Sequence, residues 1–300
     1  MLRDAIASVR AQTFQDWELL VIDDGSTDGT AAVIRDASRS DRRIRGLRGA
    51  HRGVSASRNL GIEQAAGTYV AFLDDDDYWL PGKVEQQVAQ LNAHPAWAFV
   101  YTQAELRYED GLKKLRQPLA TTFEMLLTKN TIAVPAVLAR RSVLLEMGGF
   151  PVVMRVAEDT DLWLRIAARY PFGMMPEPLT ICSQSNVRND ARYREAVVNH
   201  LTTLKGLQAH LTAPSRRKLV SQKIAREHYK LARLNRQEQR YVEAAAEFAR
   251  AVWSDAAVGL SWRKEARESA LGFFLKPYLG IIACALRACL APVLRGRRTA

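Results

Sequence analysis

Apolar residues follow two alternating patterns along the first 187 residues of the chain. Short apolar runs bounded by polar turns, such as residues 17–22 and 69–73, have the length typical of buried strands. Between such runs apolar residues recur at helical spacing, as Leu2, Ile6 and Val9 do at the start. This succession of helices and strands predicts an α/β fold.

The pattern changes after residue 187, where helical spacing takes over. Residues 190–270 are helical in pattern, and a break is predicted at residues 213–215. Residues 225–251 resemble one helical hairpin of the tetratricopeptide type, and a single copy is too short to form a solenoid. We therefore expect an all-α C-terminal region that forms a small appendage.

The end of the chain is an apolar run at residues 271–294, followed at once by Arg295, Arg297 and Arg298. Lys276 and other residues interrupt the run, so a clean membrane span is not predicted. An apolar helix beside cations suits a membrane interface, and a terminal helix packed on its own domain or on a second subunit fits the pattern equally. The expected division is an α/β domain at residues 1–187, a helical appendage at 188–270 and a terminal helix at 271–300.

Charge is unevenly distributed along the chain. Residues 1–187 contain 21 Lys and Arg and 23 Asp and Glu, a net charge of −2. Residues 188–300 contain 22 Lys and Arg and 9 Asp and Glu, a net charge of +13, so the whole excess of +11 lies there. A basic region of this size indicates an anionic partner, for which membrane headgroups, nucleic acid and an acidic polymer are candidates.

Cysteine content and the first residues indicate the compartment. Cys182, Cys284 and Cys289 are odd in number and lack the paired spacing of a disulfide framework or a zinc site. Arg3 and Asp4 place charges where a signal peptide would need an apolar core, so none is predicted. We expect a reducing, cytoplasmic setting.

The strand predicted at residues 69–73 runs directly into four adjacent carboxylates, Asp74, Asp75, Asp76 and Asp77. Like charges repel one another and resist burial, so packing does not explain this run. At the carboxyl end of a buried strand, where open α/β sheets bind ligands, the run suits a hard cation such as Mg²⁺ or Mn²⁺ that bridges to a diphosphate. The alternative is a solvated acidic loop.

Two further polar segments lie next to predicted strands and helices. Asp23 and Asp24 end the first predicted strand and can accept hydrogen bonds from a base or a ribose, although turn formation and helix capping explain them equally well. Arg58 and Asn59 lie in a helix predicted to start near residue 53, where they can face the same ligand as Asp23. A solvated side chain is the alternative for Arg58.

A glycine pair and an acidic helix start form the last candidate segment. Gly148 and Gly149 permit backbone geometry and close approach that larger residues forbid. Glu158, Asp159 and Asp161 crowd the first turn of a predicted helix, where acids interact favourably with the helix dipole. Either these acids only stabilise the helix, or they include a general base at the mouth of the acidic site.

These segments, taken in order, resemble the motifs of the family 2 glycosyltransferases of the GT-A fold. The motifs are Val-Ile-Asp-Asp-Gly-Ser at residues 21–26, Ala-Ser-Arg-Asn-Leu-Gly at 56–61, Phe-Leu-Asp-Asp-Asp-Asp at 72–77 and Glu-Asp-Thr-Asp-Leu-Trp-Leu-Arg at 158–165. Each motif is weak alone, but the ordered set is specific and covers about residues 2–182. The resemblance implies a Rossmann-like mixed sheet and the inverting transfer of a sugar from a nucleotide-diphosphate donor to a hydroxyl acceptor.

The resemblance also implies a role for each motif residue. A Mn²⁺ or Mg²⁺ ion would assist departure of the diphosphate, and Asp159 would be the catalytic base. The remaining roles are donor binding by Asp23, Asp24, Arg58 and Asp74, metal binding by Asp76 and Asp74, and an acceptor-side position for Gly149, Glu158 and Asp161.

The resembling family begins with a strand that precedes the first helix, and this chain begins at that helix. We expect the lack of this strand to expose sheet edges and to weaken donor binding. The alternative to an enzyme is therefore a non-catalytic GT-A remnant that acts as a scaffold or as a membrane-associated interaction protein. Nucleotidyl transfer is disfavoured because no Gly-rich phosphate loop with a nearby Lys occurs at the N-terminus.

Partners and location follow from the same resemblance. The expected partners are a nucleotide sugar, a glycan or lipid-linked acceptor of the kind used for cell-envelope polysaccharide, and an anionic membrane surface for the basic C-terminal third. Nucleic acid is not an expected partner. The expected location is the cytoplasm, with peripheral attachment to the inner face of the membrane.

Overall fold

The structure is a computed structural model, and it describes residues 1–49, 51–111, 113–116, 119–184 and 190–255. The chain divides into two compact units, Met1–Arg188 and Asn189–Ala300. The terminal helix expected at residues 271–300 lies outside the described residues.

Helices and strands alternate in the first unit, as the apolar pattern predicts. Its helices are α1 (Leu2–Arg10), α2 (Thr30–Ser40), α3 (Val54–Gln64), α4 (Lys83–Ala93), α5 (Phe123–Thr128), α6 (Arg141–Glu146) and α7 (Glu158–Arg169). Its strands are β1 (Leu19–Asp23), β2 (Ile44–Arg48), β3 (Tyr69–Ala71), β4 (Tyr78–Trp79), β5 (Phe99–Tyr108), β6 (Lys113–Leu115), β7 (Val137–Arg140) and β8 (Gly173–Gln184).

The strands form two sheets. In the smaller sheet β1 and β2 run parallel. In the larger sheet the order is β3-β7-β5-β8-β4, with β6 paired to β5. Strand β7 is antiparallel to both of its neighbours, and β5 runs parallel to β8, so the larger sheet is mixed. The fold class predicted from the sequence is therefore confirmed.

A cavity of about 1270 Å³ lies between the two sheets and is lined by residues of both β1 and β3. Among the described residues, β1 pairs only with β2 and β3 pairs only with β7, so each has an unpaired edge. The backbone N–H of Ala66, which precedes β3, donates to the carboxylate of Glu18, which precedes β1, at 2.6 Å. The amino ends of the two strands therefore lie side by side. Weaker donor binding as a consequence of the open edges stays a prediction.

Aromatic packing connects the strand that leads to the acidic run with helix α7. The rings of Phe72 and Phe150 lie edge to face at 5.2 Å, and Phe150 lies 5.9 Å from Trp163 on α7. Trp163 also packs at 5.3 Å on Phe99 of β5. These side chains are all buried, so they hold the end of β3, the loop around Phe150 and α7 in one apolar core.

The second unit contains the helices α8 (Asp190–His210), α9 (Pro214–Gln237) and α10 (Tyr241–Ser254). Helix α9 starts with Pro214 in its first turn, which places the predicted break between α8 and α9. Helices α9 and α10 pack as a hairpin around Tyr229, Ala232, Ala244, Phe248 and Ala251. This hairpin corresponds to the pair of helices expected at residues 225–251.

Candidate active site

The four acids that follow β3, Asp74, Asp75, Asp76 and Asp77, are called the acidic cluster below. A backbone bond from the N–H of Asp77 to the carbonyl of Asp74, at 3.2 Å, closes them into a turn. The first three acids line the cavity between the sheets, together with Asp23 and Asp24 at the end of β1. The cluster therefore lies at the carboxyl end of a strand, as predicted, and opens onto this cavity.

Asp77 differs from the other three acids because it faces inward. Its side chain is buried, and its Oδ1 accepts a hydrogen bond from the backbone N–H of Ser183 at 2.8 Å. The hydroxyl of Ser183 in turn donates to the carbonyl of Asp76 at 2.6 Å. Burial raises the pKa of Asp77 to about 7. Asp77 thus fastens the acidic turn to β8, and this role was not apparent from the sequence.

Asp76 is exposed to the cavity and carries an uncompensated charge. Desolvation raises its pKa, and the neighbouring carboxylates of Asp74 and Asp75 raise it further. Among the described residues no Lys or Arg side chain forms an ion pair with Asp76. Asp76 is thus an exposed carboxylate of the acidic cluster, and a cation can reach it.

Arg58 joins the acidic cluster to the first turn of α7. Its Nη2 donates to both oxygens of Asp74, at 2.9 and 3.2 Å, and its Nη1 donates to Glu158 at 2.9 Å. Its guanidinium also lies over the ring of Phe150, 5.3 Å from the centroid. Burial alone would lower the pKa of Arg58, but the charges of Asp74 and Glu158 outweigh it and the pKa is raised.

The side chain of Asn59 bonds to the backbone of Phe150, and a shared ligand with Asp23 stays a prediction. Its amide donates to the carbonyl of Phe150 at 2.8 Å and accepts from the N–H of the same residue at 2.8 Å. Gly149 has a φ of +67°, and a Cβ at this position would overlap the Oδ1 of Asn59. Helix α3 thus clamps the Gly149–Phe150 backbone, and glycine is required for the close approach.

Asp161, for which an acceptor-side position is expected, is buried in the first turn of α7. Its acceptor-side role stays a prediction. Its carboxylate bonds to Nε of Arg165 at 2.6 Å, one helical turn later. Arg165 then donates to the carbonyls of Met147 and Gly149 at 2.5 and 2.8 Å. Asp161 therefore orients an arginine that holds the glycine turn, and the spacing of four residues is the signal that predicts such a pair.

Asp159 lies half-buried in the first turn of α7, next to Glu158. Its Oδ2 accepts from the side-chain amide of Asn130 at 3.1 Å, and its Oδ1 accepts from the N–H of Thr160 at 2.7 Å. Burial raises the pKa of Glu158, the charge of Asp159 adds to the shift, and Arg58 opposes it. Glu158 is thus engaged by Arg58, whereas the hydrogen bonds that Asp159 accepts from other described residues come from neutral donors.

Asp23 and Asp24 adopt the turn and capping roles that the sequence left open. Oδ1 of Asp23 accepts from the N–H groups of Gly25 and Ser26, and the bonds to Ser26 are the main cause of its lowered pKa. The two oxygens of Asp24 accept from the N–H groups of Arg52 and Gly53, at 3.3 and 2.7 Å. Donor binding by either residue stays a prediction.

The clamp on the glycine turn predicts a difference between two neighbouring substitutions. Both glycines have positive φ, but a Cβ at Gly148 meets nothing within 4 Å, whereas one at Gly149 meets Asn59. We expect Gly148→Ala to destabilise the fold by about 1 kcal/mol through backbone strain. Gly149→Ala should cost about 1–3 kcal/mol more, since Asn59 must give way. Urea unfolding of both variants measures the difference, and equal midpoints would contradict the clamp.

Residues 1–145 match the sequence model of the family described as Glycosyl transferase family 2. An uncharacterized glycosyltransferase of Rickettsia felis is 33% identical over 181 residues, which are 59% of this chain and 30% of that protein. The UDP-Glc:alpha-D-GlcNAc-diphosphoundecaprenol beta-1,3-glucosyltransferase WfgD of Escherichia coli is 35% identical over 164 residues, 54% of this chain and 62% of that protein. The chain therefore spans less than two thirds of the length of either relative.

Solved structures show the same fold. TarS of S. aureus has a TM-score of 0.65 at 17% sequence identity, over 94% of this chain and 51% of that one. The mannosyltransferase PcManGT from Pyrobaculum calidifontis, solved in complex with GDP-Man and Mn²⁺, has a TM-score of 0.57 at 17% identity, over 95% and 82% of the two chains. The GT-A-like architecture expected from the motifs is confirmed.

Proposed function

We propose that this chain is a family 2 glycosyltransferase that moves a sugar from a nucleotide-diphosphate donor to a hydroxyl acceptor. The similarities to named glycosyltransferases support sugar transfer as the reaction class. The observation that carries the proposal is that one guanidinium, that of Arg58, forms ion pairs with both Asp74 of the acidic cluster and Glu158 of α7. We call these two ion pairs the Arg58 bridge. The acidic cluster and the first turn of α7, for which we propose donor-side and acceptor-side roles, are thus joined through one side chain.

The acidic cluster has the donor chemistry that Mg²⁺ or Mn²⁺ requires. In the part of the chain that the structure describes, no three His, Cys, Asp or Glu side chains converge into a closed metal cage. The protein would instead supply one or two carboxylate oxygens, from Asp76 and Asp74, and a diphosphate and water would complete the shell, an arrangement usual for Mg²⁺. A metal bound there would offset negative charge on the departing diphosphate.

The residues of α7 supply the other half of the chemistry. Asp159 removes the proton of the acceptor hydroxyl while the oxygen of that hydroxyl attacks the anomeric carbon of the donor sugar. The bond from that carbon to the diphosphate breaks, and the leaving group takes the electron pair. Attack opposite to the leaving group inverts the anomeric centre. The neutral bonds from Asn130 and Thr160 orient the carboxylate of Asp159 without neutralising it, which suits a base.

The donor and acceptor classes remain proposals. The E. coli relative is named for transfer from UDP-Glc to a diphosphoundecaprenol-linked sugar, and we propose a lipid-linked or glycan acceptor for this chain by analogy. Among the described residues no helix is both long and apolar enough to cross a membrane. Peripheral membrane attachment through residues 271–300 is a further proposal, which rests on their apolar and basic sequence.

A turnover assay tests the proposed function. The full chain is incubated with a panel of nucleotide-diphosphate sugars and Mn²⁺, and release of the nucleoside diphosphate is followed with and without hydroxyl acceptors. We expect release with one donor and a faster rate when a suitable acceptor is present. Donor binding without any release would favour the alternative, a non-catalytic scaffold.

A further inference from the structure

Besides its proposed role in donor binding, Arg58 compensates negative charge within the site. Among the described residues it is the one Lys or Arg in ion-pair contact with the acidic cluster or with the two acids that begin α7. Its side chain is only 11% exposed, so it is a fixed internal cation. In the absence of ligands, Arg58 therefore neutralises part of the charge that would otherwise attract a metal ion.

The two carboxylates of the Arg58 bridge differ in their exposure to solvent. The side chain of Asp74 is 40% exposed, whereas that of Glu158 is 13% exposed. Both oxygens of Asp74 already accept from one nitrogen of Arg58, so a cation that uses Asp74 must share or displace this bond. The ion pair with Asp74 is therefore the one that can break, because Asp74 can turn toward a ligand while the bond to Glu158 is sequestered from water.

The ring of Phe150 limits how Arg58 can respond. Phe150 lies under the guanidinium and is itself held by the paired hydrogen bonds of Asn59. A guanidinium that loses Asp74 therefore cannot swing away freely, and within the described part of the chain its other charged partner is Glu158. A stronger bond to Glu158 stabilises the first turn of α7, where Asp159 stands.

We propose that Arg58 couples occupancy of the acidic cluster to the start of α7. A divalent cation at the cluster competes with Arg58 for Asp74, and the released guanidinium binds Glu158 more tightly and orders the turn that carries Asp159. By thermodynamic linkage, a ligand that orders this turn strengthens cation binding in return. The inference rests on the proposed metal-assisted function and makes Arg58 a positioning residue that acts through Glu158.

The coupling is tested by metal binding alone, without donor or turnover. The full chain is titrated with Mn²⁺, and free Mn²⁺ is followed by electron paramagnetic resonance. Removing the competing charge in Arg58→Gln should tighten Mn²⁺ binding about three- to tenfold. Arg45→Gln is the matched control, because it removes the same charge from an exposed side chain that pairs with Glu18, and it should change the affinity less than twofold.

Hydrogen exchange of the peptide spanning residues 157–165 provides the second readout. In the wild-type chain, Mn²⁺ should slow exchange in this peptide, and in Arg58→Gln the effect should vanish. Arg58→Lys keeps the charge, but a single ammonium cannot hold both carboxylates in the geometry of a guanidinium fork. It should therefore bind Mn²⁺ within about twofold of wild type and still lose the response of α7. Circular dichroism of each variant checks that it is folded.

The possible outcomes separate this inference from the proposed function. Failure of Mn²⁺ to bind the wild-type chain would overturn both the metal-assisted function and the coupling. Equal or weaker Mn²⁺ binding in Arg58→Gln, with binding to the wild type intact, would overturn the coupling alone. An unchanged exchange rate at α7 on Mn²⁺ binding would do the same.

Discussion

Asp159→Asn is expected to lower the turnover number about a hundredfold or more and to leave donor affinity within about twofold. The carboxylate of Asp159 is held by the amide of Asn130 and the N–H of Thr160, both neutral donors, so its charge is available to accept a proton. Asparagine keeps the size of the side chain and loses the base. Nucleoside diphosphate release measures turnover, and calorimetric titration of the donor measures affinity.

The control for this variant is Asp36→Asn, which removes the same charge from an exposed position on α2. It should leave both turnover and affinity unchanged. If Asp159→Asn turned over donor at the wild-type rate, Asp159 would be no more than an acid that stabilises the helix start.

Asp76→Asn is expected to abolish the stabilisation that Mn²⁺ and donor together give the folded chain. Asp76 is an exposed member of the acidic cluster whose raised pKa reports desolvation and repulsion by Asp74 and Asp75. The substitution relieves that repulsion, so the metal-free chain should unfold at the same or a slightly higher temperature. Thermal unfolding with and without Mn²⁺ and donor measures both effects.

Asp75→Asn is the matched control, because Asp75 is adjacent, exposed and equal in charge. It should keep the metal-dependent stabilisation that Asp76→Asn loses. The opposite result, with the effect lost in Asp75→Asn and kept in Asp76→Asn, would move the metal ligand to Asp75.

Local patterns predicted most of the elements and the position of the acids. The strand before the acidic cluster, the helix that begins with Glu158 and the hairpin in the second unit all follow from the spacing of apolar residues, which depends on near neighbours. The two-residue strand β4 and the full length of β8 were not predicted, because β4 pairs with β8, and β8 pairs with β5, through residues far apart in the sequence.

Sequence patterns did not predict the contacts that hold the site together, because these contacts also join residues that are far apart in the chain. Arg58 and Glu158 are 100 residues apart, and Asn59 and Phe150 are 91 residues apart. Asn130 follows α5 without any motif, and no sequence signal pointed to its bond with Asp159. The motifs therefore indicated which segments carry the candidate site residues, and they did not indicate which side chains hold one another.

Calorimetric titration of the full chain with nucleotide-diphosphate sugars, in the presence and absence of Mn²⁺, tests whether the acidic cluster is a metal-assisted donor site. We expect that at least one donor binds, that binding requires the metal, and that Asp76→Asn eliminates it. If no donor of the panel bound in the presence of Mn²⁺, or if one bound equally well without it, the proposal of a metal-assisted donor site at the acidic cluster would be contradicted.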